Sequence, residues 1–246
     1  MLTNNVLVTG CDKGIGLEFI KQLAPQTKRL FAGCLHPGEA SEVQKVSEVH
    51  PHVVILHIDV TDNKTIQKAV LEILASVGDE GLNLLINNAA VLHLMNSIET
   101  LTAQSMATTY DVNAIGPAMV MKACLPLLRQ AASLLTSSEK SIKRASIVNI
   151  SSWFSSMESA RGEKIFYSYR SSKIAVNMLA KNLSIELEGD NVLVVNMCPG
   201  WVRTDMGGED APTTTQESVG AILDVVSGLD DRSGLFYSSA GGELPW

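Results

Sequence analysis

NVLVTGCDKGIGLEFI, residues Asn5–Ile20, is the stretch on which the fold turns. NVLVTG (Asn5–Gly10) is a short run rich in apolar, β-branched residues, the pattern of a strand buried on both faces. A helix is expected from Ile15 to Leu23, closed by Pro25. Between the two, Thr9–Gly16 spaces its glycines as GxxxGxG at the turn from strand to helix. An ordinary tight turn needs one glycine rather than three. Three let the backbone turn sharply and approach a pyrophosphate, which then rests on the helix N-terminus. The loop follows the first strand and opens the first helix, as that mechanism requires. It predicts a dinucleotide site with Gly10, Asp12, Lys13, Gly14, Ile15 and Gly16.

The same rhythm continues outward. RLFAG (Arg29–Gly33), HVVILHIDV (His52–Val60), LNLLINN (Leu82–Asn88), SIVNIS (Ser146–Ser151) and NVLVVNM (Asn191–Met197) read as strands, and Gly234–Ser238 adds a short last one. Helical patterns fall at Glu39–Val49, from an N-cap at Thr61 or Asp62 to about Val77, at Thr102–Ala132 with a bend near Gly116-Pro117, and at Tyr169–Leu187. This alternation predicts a parallel sheet of about seven strands with helices on both faces. Ser133–Arg144 is polar and reads as a surface loop, and Trp153–Ser168 is a long link between strand and helix. With no linker or internal repeat in view, residues 1–246 are expected to form a single domain.

Hydrophobic residues make up 46% and charged residues 18%, enough for a sizeable core. The formal charge of −7 speaks against a nucleic-acid backbone or an acidic membrane surface as partner. No secretion signal is visible, and no apolar stretch approaches the roughly 20 residues of a membrane span. Cys11, Cys34, Cys124 and Cys198 lack CxxC pairing or zinc-like histidine spacing. No metal site is expected, and a reducing, cytoplasmic setting fits.

FYSYRSSK (Phe166–Lys173) carries the next signal. Tyr169 and Lys173 are four apart and share a helix face, whereas Tyr167 points elsewhere. A free phenol, with a pKa of about 10, is nearly inert in proton transfer at neutral pH. A lysine cation beside it would favour the phenolate and lower that value, giving a tuned proton donor. A surface helix with an incidental Tyr and Lys is the alternative. For the cofactor type, an NAD site usually carries an acid about 20 residues beyond the loop. Gly33–Gly38 holds none before Glu39, and Lys13 lies in the loop where a cation could meet a 2′-phosphate. Both facts lean to NADP over NAD, with a solvated Lys13 as the plainer reading.

Seven pieces then stand in one order: TGCDKGIG (Thr9–Gly16), Asp59-Val60, NNAA (Asn87–Ala90), Asn113 in DVNAIGP, NISS (Asn149–Ser152), YRSSK (Tyr169–Lys173) and PGWVRTDM (Pro199–Met206). Together they resemble the short-chain dehydrogenase/reductase family over nearly the whole chain. CLPLLR, CPGWVRTDMGG and ELPW are similar to its sniffer-type carbonyl reductases. The resemblance implies a Rossmann-type, doubly wound α/β sheet, with a dinucleotide-binding half at about 1–110 and a catalytic and substrate half at about 111–246.

It also implies NADPH-dependent reduction of aldehyde, ketone or quinone carbonyls. Tyr169 would donate the proton, and Lys173 would lower its pKa and hold the nicotinamide ribose. Ser152 would polarise the carbonyl, and Asn113 would anchor a water relay to Lys173. Asp59 would contact the adenine and Asn88 the region near the adenosine ribose, while Pro199, Gly200 and Thr204 would border the nicotinamide. Val60, Ala89, Ala90, Val202 and Tyr169 itself complete the cofactor set. The helices at about 104–132 and 169–187 are those through which family members often pair, which leaves a homodimer open.

Plainer readings stand beside these: Ser152 as a strand end, Asn113 bonding its own backbone, Asp59 as an N-cap. Three features depart from the family pattern: Ala90 ends NNAA where the family has glycine, Leu35 stands where sniffer-type reductases carry arginine, and the gap from Ser152 to Tyr169 is long. The enlarged loop, Trp153-Phe154-Ser155-Ser156-Met157 and onward to Ile165-Phe166, would join Trp201 and Met206 in an apolar substrate wall, or else pack onto the domain. Two other functions use the same residues: an NAD(P)-binding sensor without turnover, and an NAD-dependent alcohol dehydrogenase.

Overall fold

Val6 and Val8 of the first strand face one side of the sheet and Leu7 the other, and all three are buried. A strand covered on both faces needs helices on both, and the fold supplies them. It is described from a computed structural model that covers residues 2–93, 97–135, 139–160, 165–230 and 232–246. The strands are β1 (Asn5–Thr9), β2 (Arg29–Cys34), β3 (Val53–His57), β4 (Leu84–Asn87), β5 (Ser146–Ile150), β6 (Leu193–Cys198) and β7 (Leu235–Ser238). They pair in parallel in the order β3-β2-β1-β4-β5-β6-β7. This is the Rossmann-type sheet that the alternation predicts.

One face is covered by α1 (Gly14–Leu23), α2 (Ser41–Val49) and α7 (Thr215–Ser227), which bury Phe19, Ile20, Val43 and Ile222 against Val6 and Val8. The other face is covered by α3 (Asn63–Val77), α5 (Gly116–Ser133) and α6 (Tyr167–Glu186), which bury Ile73, Cys124, Leu128 and Ala180 against Leu7 and Phe31. Each large apolar side chain so buried contributes about 1.5–3 kcal/mol, more than helix propensity supplies. The chain leaves β1 toward β2 and β3, then returns to pair β4 on β1's other edge. That reversal opens a crevice at the carboxyl ends of β1 and β4.

Three features differ from the sequence expectation. α7 falls where no element was expected, and its N-terminus is closed by a capping box between Thr214 and Glu217. The single helix expected over Thr102–Ala132 is three pieces: α4 (Ala103–Tyr110), a π-helical turn at Asp111–Ile115, and α5. At that junction Gly116 packs so tightly that a Cβ would stand 2.9 Å from the Val60 side chain. α6 starts at Tyr167, two residues before the expected Tyr169. Of the two expected loops, residues 136–138 and 161–164 lie outside the described residues. Arg144, at the end of the first loop, is buried and satisfies the end of α5, donating from Nε to the Ala132 carbonyl (2.8 Å) and from Nη2 to that of Leu135 (2.6 Å).

Candidate active site

The glycine loop is fixed by contacts that leave no room for side chains. Gly10 has φ +69°, and a Cβ there would lie 2.7 Å from Ala89 Cα. A Cβ on Gly16 would lie 2.0 Å from the Gly10 carbonyl oxygen. Asn88 ties the loop to the end of β4: its Nδ2 donates to the carbonyls of Thr9 and Gly10, both at 3.0 Å. Lys13, the N-cap of α1, makes no side-chain cap bond, and the first turn carries no acid. The first amides of α1 therefore remain available to an anion, reinforced by the helix dipole. This cradle fits a dinucleotide's phosphates. Gly16→Ala is expected to weaken dinucleotide binding by about tenfold or more, because backbone must move to admit the methyl. Titration of nucleotide into the variant checks this, and unchanged affinity would count against the cradle.

The loop opens into a cleft of about 1590 Å³, larger than most small-molecule sites. Nearly all residues singled out from the sequence border it. From the first half come the loop itself with Asp12, Gly14 and Ile15, then Asp59 and Val60 past β3, and Asn88, Ala89 and Ala90 past β4. From the second half come Ser152, Trp153, Phe154, Tyr169 and Lys173, then Pro199, Gly200, Trp201, Val202, Thr204 and Met206. Gly16 and Asn113 stand behind the lining. Ala90 does not have the left-handed φ that would demand glycine, so its methyl is accommodated.

Two charged residues have partners that the sequence did not disclose. Asp12 accepts the backbone N–H groups of Leu35 and His36, both at 3.1 Å, and so sits at the end of β2. Lys13 Nζ pairs with Asp205 Oδ2 at 2.5 Å across the mouth of the cleft, and this bond raises the lysine's pKa. Asp59 accepts from the N–H and Oγ1 of Thr61, while the N-cap of α3 is Asp62.

Tyr169 and Lys173 share the inward face of α6, and both are buried. Burial pushes the Tyr169 phenol up to about 12, partly offset by its hydrogen bond with Ser152. Burial pushes the Lys173 ammonium down to about 8. Lys173 Nζ donates to the Ile150 carbonyl at 2.7 Å and stands 5.7 Å from the Tyr169 ring centroid. The expectation that Lys173 depresses the phenol is therefore corrected: desolvation sets the direction, and the phenol lies above its ordinary value and stays protonated. Such a group is held in the form that can give a proton.

Ser152 N-caps the short turn Trp153–Ser155, accepting the Phe154 N–H at 3.2 Å. Asn113 lies in the π-helical turn, an irregularity frequent at functional sites. It bonds neighbouring segments rather than its own backbone: Oδ1 accepts the Val91 N–H at 2.8 Å, and Nδ2 donates to the Val91 carbonyl (2.9 Å) and Ser172 Oγ (3.1 Å). Ser172 neighbours Lys173 on α6.

Beyond the tyrosine the wall is aromatic. Phe154 and Phe166 meet edge to face at 5.6 Å, and Arg170 lies over Phe154 at 4.7 Å. Phe166 holds φ +43°, a conformation rare for such a residue and retained by its burial. Trp153, Trp201 and Met206 are exposed at the rim. Phe166 lines the cleft with the loop to which the sequence assigned it, whereas the reading of the sequence missed Cys198 as a lining residue. Cys198 immediately precedes Pro199-Gly200, a position that could have flagged it, and its Sγ accepts the Trp153 N–H at 3.1 Å. Among the described residues, no group of three or more His, Cys, Asp or Glu is arranged to hold a metal ion.

Residues 4–215 match the family model described as short chain dehydrogenase. The chain belongs to the short chain dehydrogenase family. Like other short chain dehydrogenases it is an oxidoreductase. Its structural neighbours include the carbonyl reductase Sniffer of Drosophila melanogaster, with a TM-score of 0.96 and 36% identity over 99% of this chain and 100% of that one. The NADPH-bound carbonyl reductase from chicken fatty liver is similar at a TM-score of 0.94 and 36% identity, over 99% and 94% of the two chains. By sequence, the C-signal protein of Myxococcus xanthus is 37% identical over 166 residues, 67% of this short chain dehydrogenase and 93% of that protein.

Proposed function

We propose that the protein reduces the carbonyl group of an aldehyde, ketone or quinone to an alcohol with NADPH. The observation that carries this is the meeting of Ser152, Tyr169 and Lys173 on the glycine-loop cleft. NADPH, when bound, supplies the hydride. Ser152 Oγ holds and polarises the carbonyl oxygen, and Tyr169 gives that oxygen its proton as the carbon is reduced. The Lys173 ammonium steadies the phenolate left behind and reaches the nicotinamide ribose. Asn113 connects this group, through Ser172 and ordered water, to a proton supply. Residues 1–110 hold the adenosine and pyrophosphate, with Asp59 at the adenine, and residues 111–246 hold the nicotinamide and substrate. Pro199, Gly200, Val202 and Thr204 border the nicotinamide. Trp153, Phe154, Trp201 and Met206 offer an apolar surface suited to aromatic or aliphatic carbonyls.

Preference for NADPH over NAD rests on Lys13, which would exchange Asp205 for the 2′-phosphate, and on the NADPH in the chicken carbonyl reductase. Leu35 contributes no cation there. The free, buried thiols fit a reducing cytoplasm, and no described helix is long and apolar enough to cross a membrane. Pairing of two copies would use the exposed side chains of Ile115, Met178 and Ile185, and light scattering reads the outcome.

Purified protein is expected to oxidise NADPH in the presence of simple aldehydes, ketones or quinones. Turnover absent across such a panel, with micromolar dinucleotide binding intact, would favour a sensor. Competition in which NADH binds more tightly than NADPH would favour an alcohol dehydrogenase running in the oxidative direction.

A further inference from the structure

α6 presents a third polar residue on the face that carries Tyr169 and Lys173. Asn177 follows Lys173 by one turn and is equally buried. The three residues bond successive points of the segment leaving β5. Lys173 holds the Ile150 carbonyl, and Tyr169 meets Ser152. Asn177 holds the residues on either side of Ser152: its Oδ1 accepts from Ser151 Oγ at 2.7 Å, and its Nδ2 donates to Ser155 Oγ at 2.8 Å. Ser155 Oγ in turn donates to the Ser152 carbonyl at 2.6 Å. Ser151 and Ser155 are both buried, so water does not substitute for these bonds.

Ser151 Oγ also lies 3.2 Å from Ser155 Oγ, so the Asn177 amide and the two hydroxyls close a triangle, and the bonds above imply one arrangement of its protons. The Ser151 hydroxyl hydrogen goes to Asn177, and that of Ser155 goes to Ser152, so Ser155 Oγ needs a donor and Ser151 needs an acceptor. An amide supplies both at once; a carboxylate or an alkyl group does not.

We infer that Asn177 is a positioning residue for the reaction, acting through Ser151 and Ser155 to fix Ser152 opposite Tyr169. This rests on the carbonyl-reductase reading of the site. Asn177 touches neither substrate nor cofactor. Its effect is to hold the turn so that Ser152 Oγ meets the carbonyl oxygen at the right place, where an error near 1 Å costs about 100-fold in rate.

A double-mutant cycle tests the inference. Asn177→Leu preserves approximate volume and removes both bonds. It is expected to lower kcat by about 10–100-fold, with dinucleotide Kd changed less than about threefold. In a Ser152→Ala background, the same substitution is expected to cost less than about threefold, because nothing is left to position. Ser155→Ala cuts the same link with a smaller volume change and serves if Asn177→Leu folds poorly, as judged by Tm. Its loss of kcat should likewise vanish in the Ser152→Ala background. Equal losses in both backgrounds, or unchanged kcat in both Asn177→Leu and Ser155→Ala, would overturn the inference alone. Full turnover by Ser152→Ala itself would overturn the reading of the site, and this inference with it.

Discussion

Tyr169→Phe is expected to lower kcat for carbonyl reduction by about 1000-fold while leaving dinucleotide Kd within about twofold. The substitution removes one oxygen. The ring is buried and its packing is retained, as is the aromatic face near Lys173 Nζ. What disappears is a proton donor on the inner face of α6 that stays neutral and hydrogen-bonds Ser152. Since burial holds the phenol at about 12, the wild-type reduction should show no loss from phenol ionisation between about pH 6 and pH 9. A lysine-depressed phenol would instead fail within that window. Following the nicotinamide absorbance in single turnovers separates the chemical step from binding. A Phe variant with wild-type kcat would require another acid, and the site would have to be rebuilt around it.

Much of this fold was legible because its signals are local. The glycine loop needs no side chains at Gly10 and Gly16, and the need is written in the residues themselves. The strands are short, apolar and regularly spaced, so the sheet follows from their alternation. α7 was missed although its capping box, Thr214 and Glu217, and its buried Val219, Ile222 and Val226 lie in plain sequence. The irregular segment after Gly200 masks where the helical period begins.

The electrostatics of the site were less legible, because they depend on burial and on partners distant in sequence. Spacing alone puts Lys173 beside Tyr169, but the Ile150 carbonyl that receives the ammonium comes from the end of β5. Desolvation then reverses the expected direction for the phenol. Asp12 and Asn177 are similar cases. One looks like a loop residue and the other like a polar residue on a helix stripe, until the fold brings Leu35 to the first and Ser151 to the second.

Lys173→Met is expected to reduce kcat by about 100-fold or more and, at neutral pH, to stabilise the protein. Both effects have one cause. The ammonium is buried and donates to the Ile150 carbonyl, and burial lowers its pKa from the ordinary 10.5 to about 8. Below about pH 8 the folded and unfolded chains both carry the proton, and the folded state bears the full cost of the buried charge, on the order of a few kcal/mol. Between about 8 and 10.5 the unfolded chain binds more protons than the folded one, so the stability of the wild type rises with pH through this window. Methionine keeps the apolar stem and removes the charge, at the cost of leaving the Ile150 carbonyl without its donor, about 1 kcal/mol. The net gain of about 1–2 kcal/mol should raise Tm at pH 7 by about 2–8 °C. That advantage should shrink as pH climbs toward 10, because the wild-type lysine then sheds its proton in the folded state. Parallel melting curves of the two proteins at pH 7 and pH 9.5 give the comparison. A variant less stable than wild type at pH 7, or a difference in Tm that does not change with pH, would mean that Lys173 is not held at the expense of folding stability. The persistence of such a charge in the core is accounted for by the proposed role, in which the ammonium would hold the ribose of a bound dinucleotide and steady the phenolate of Tyr169.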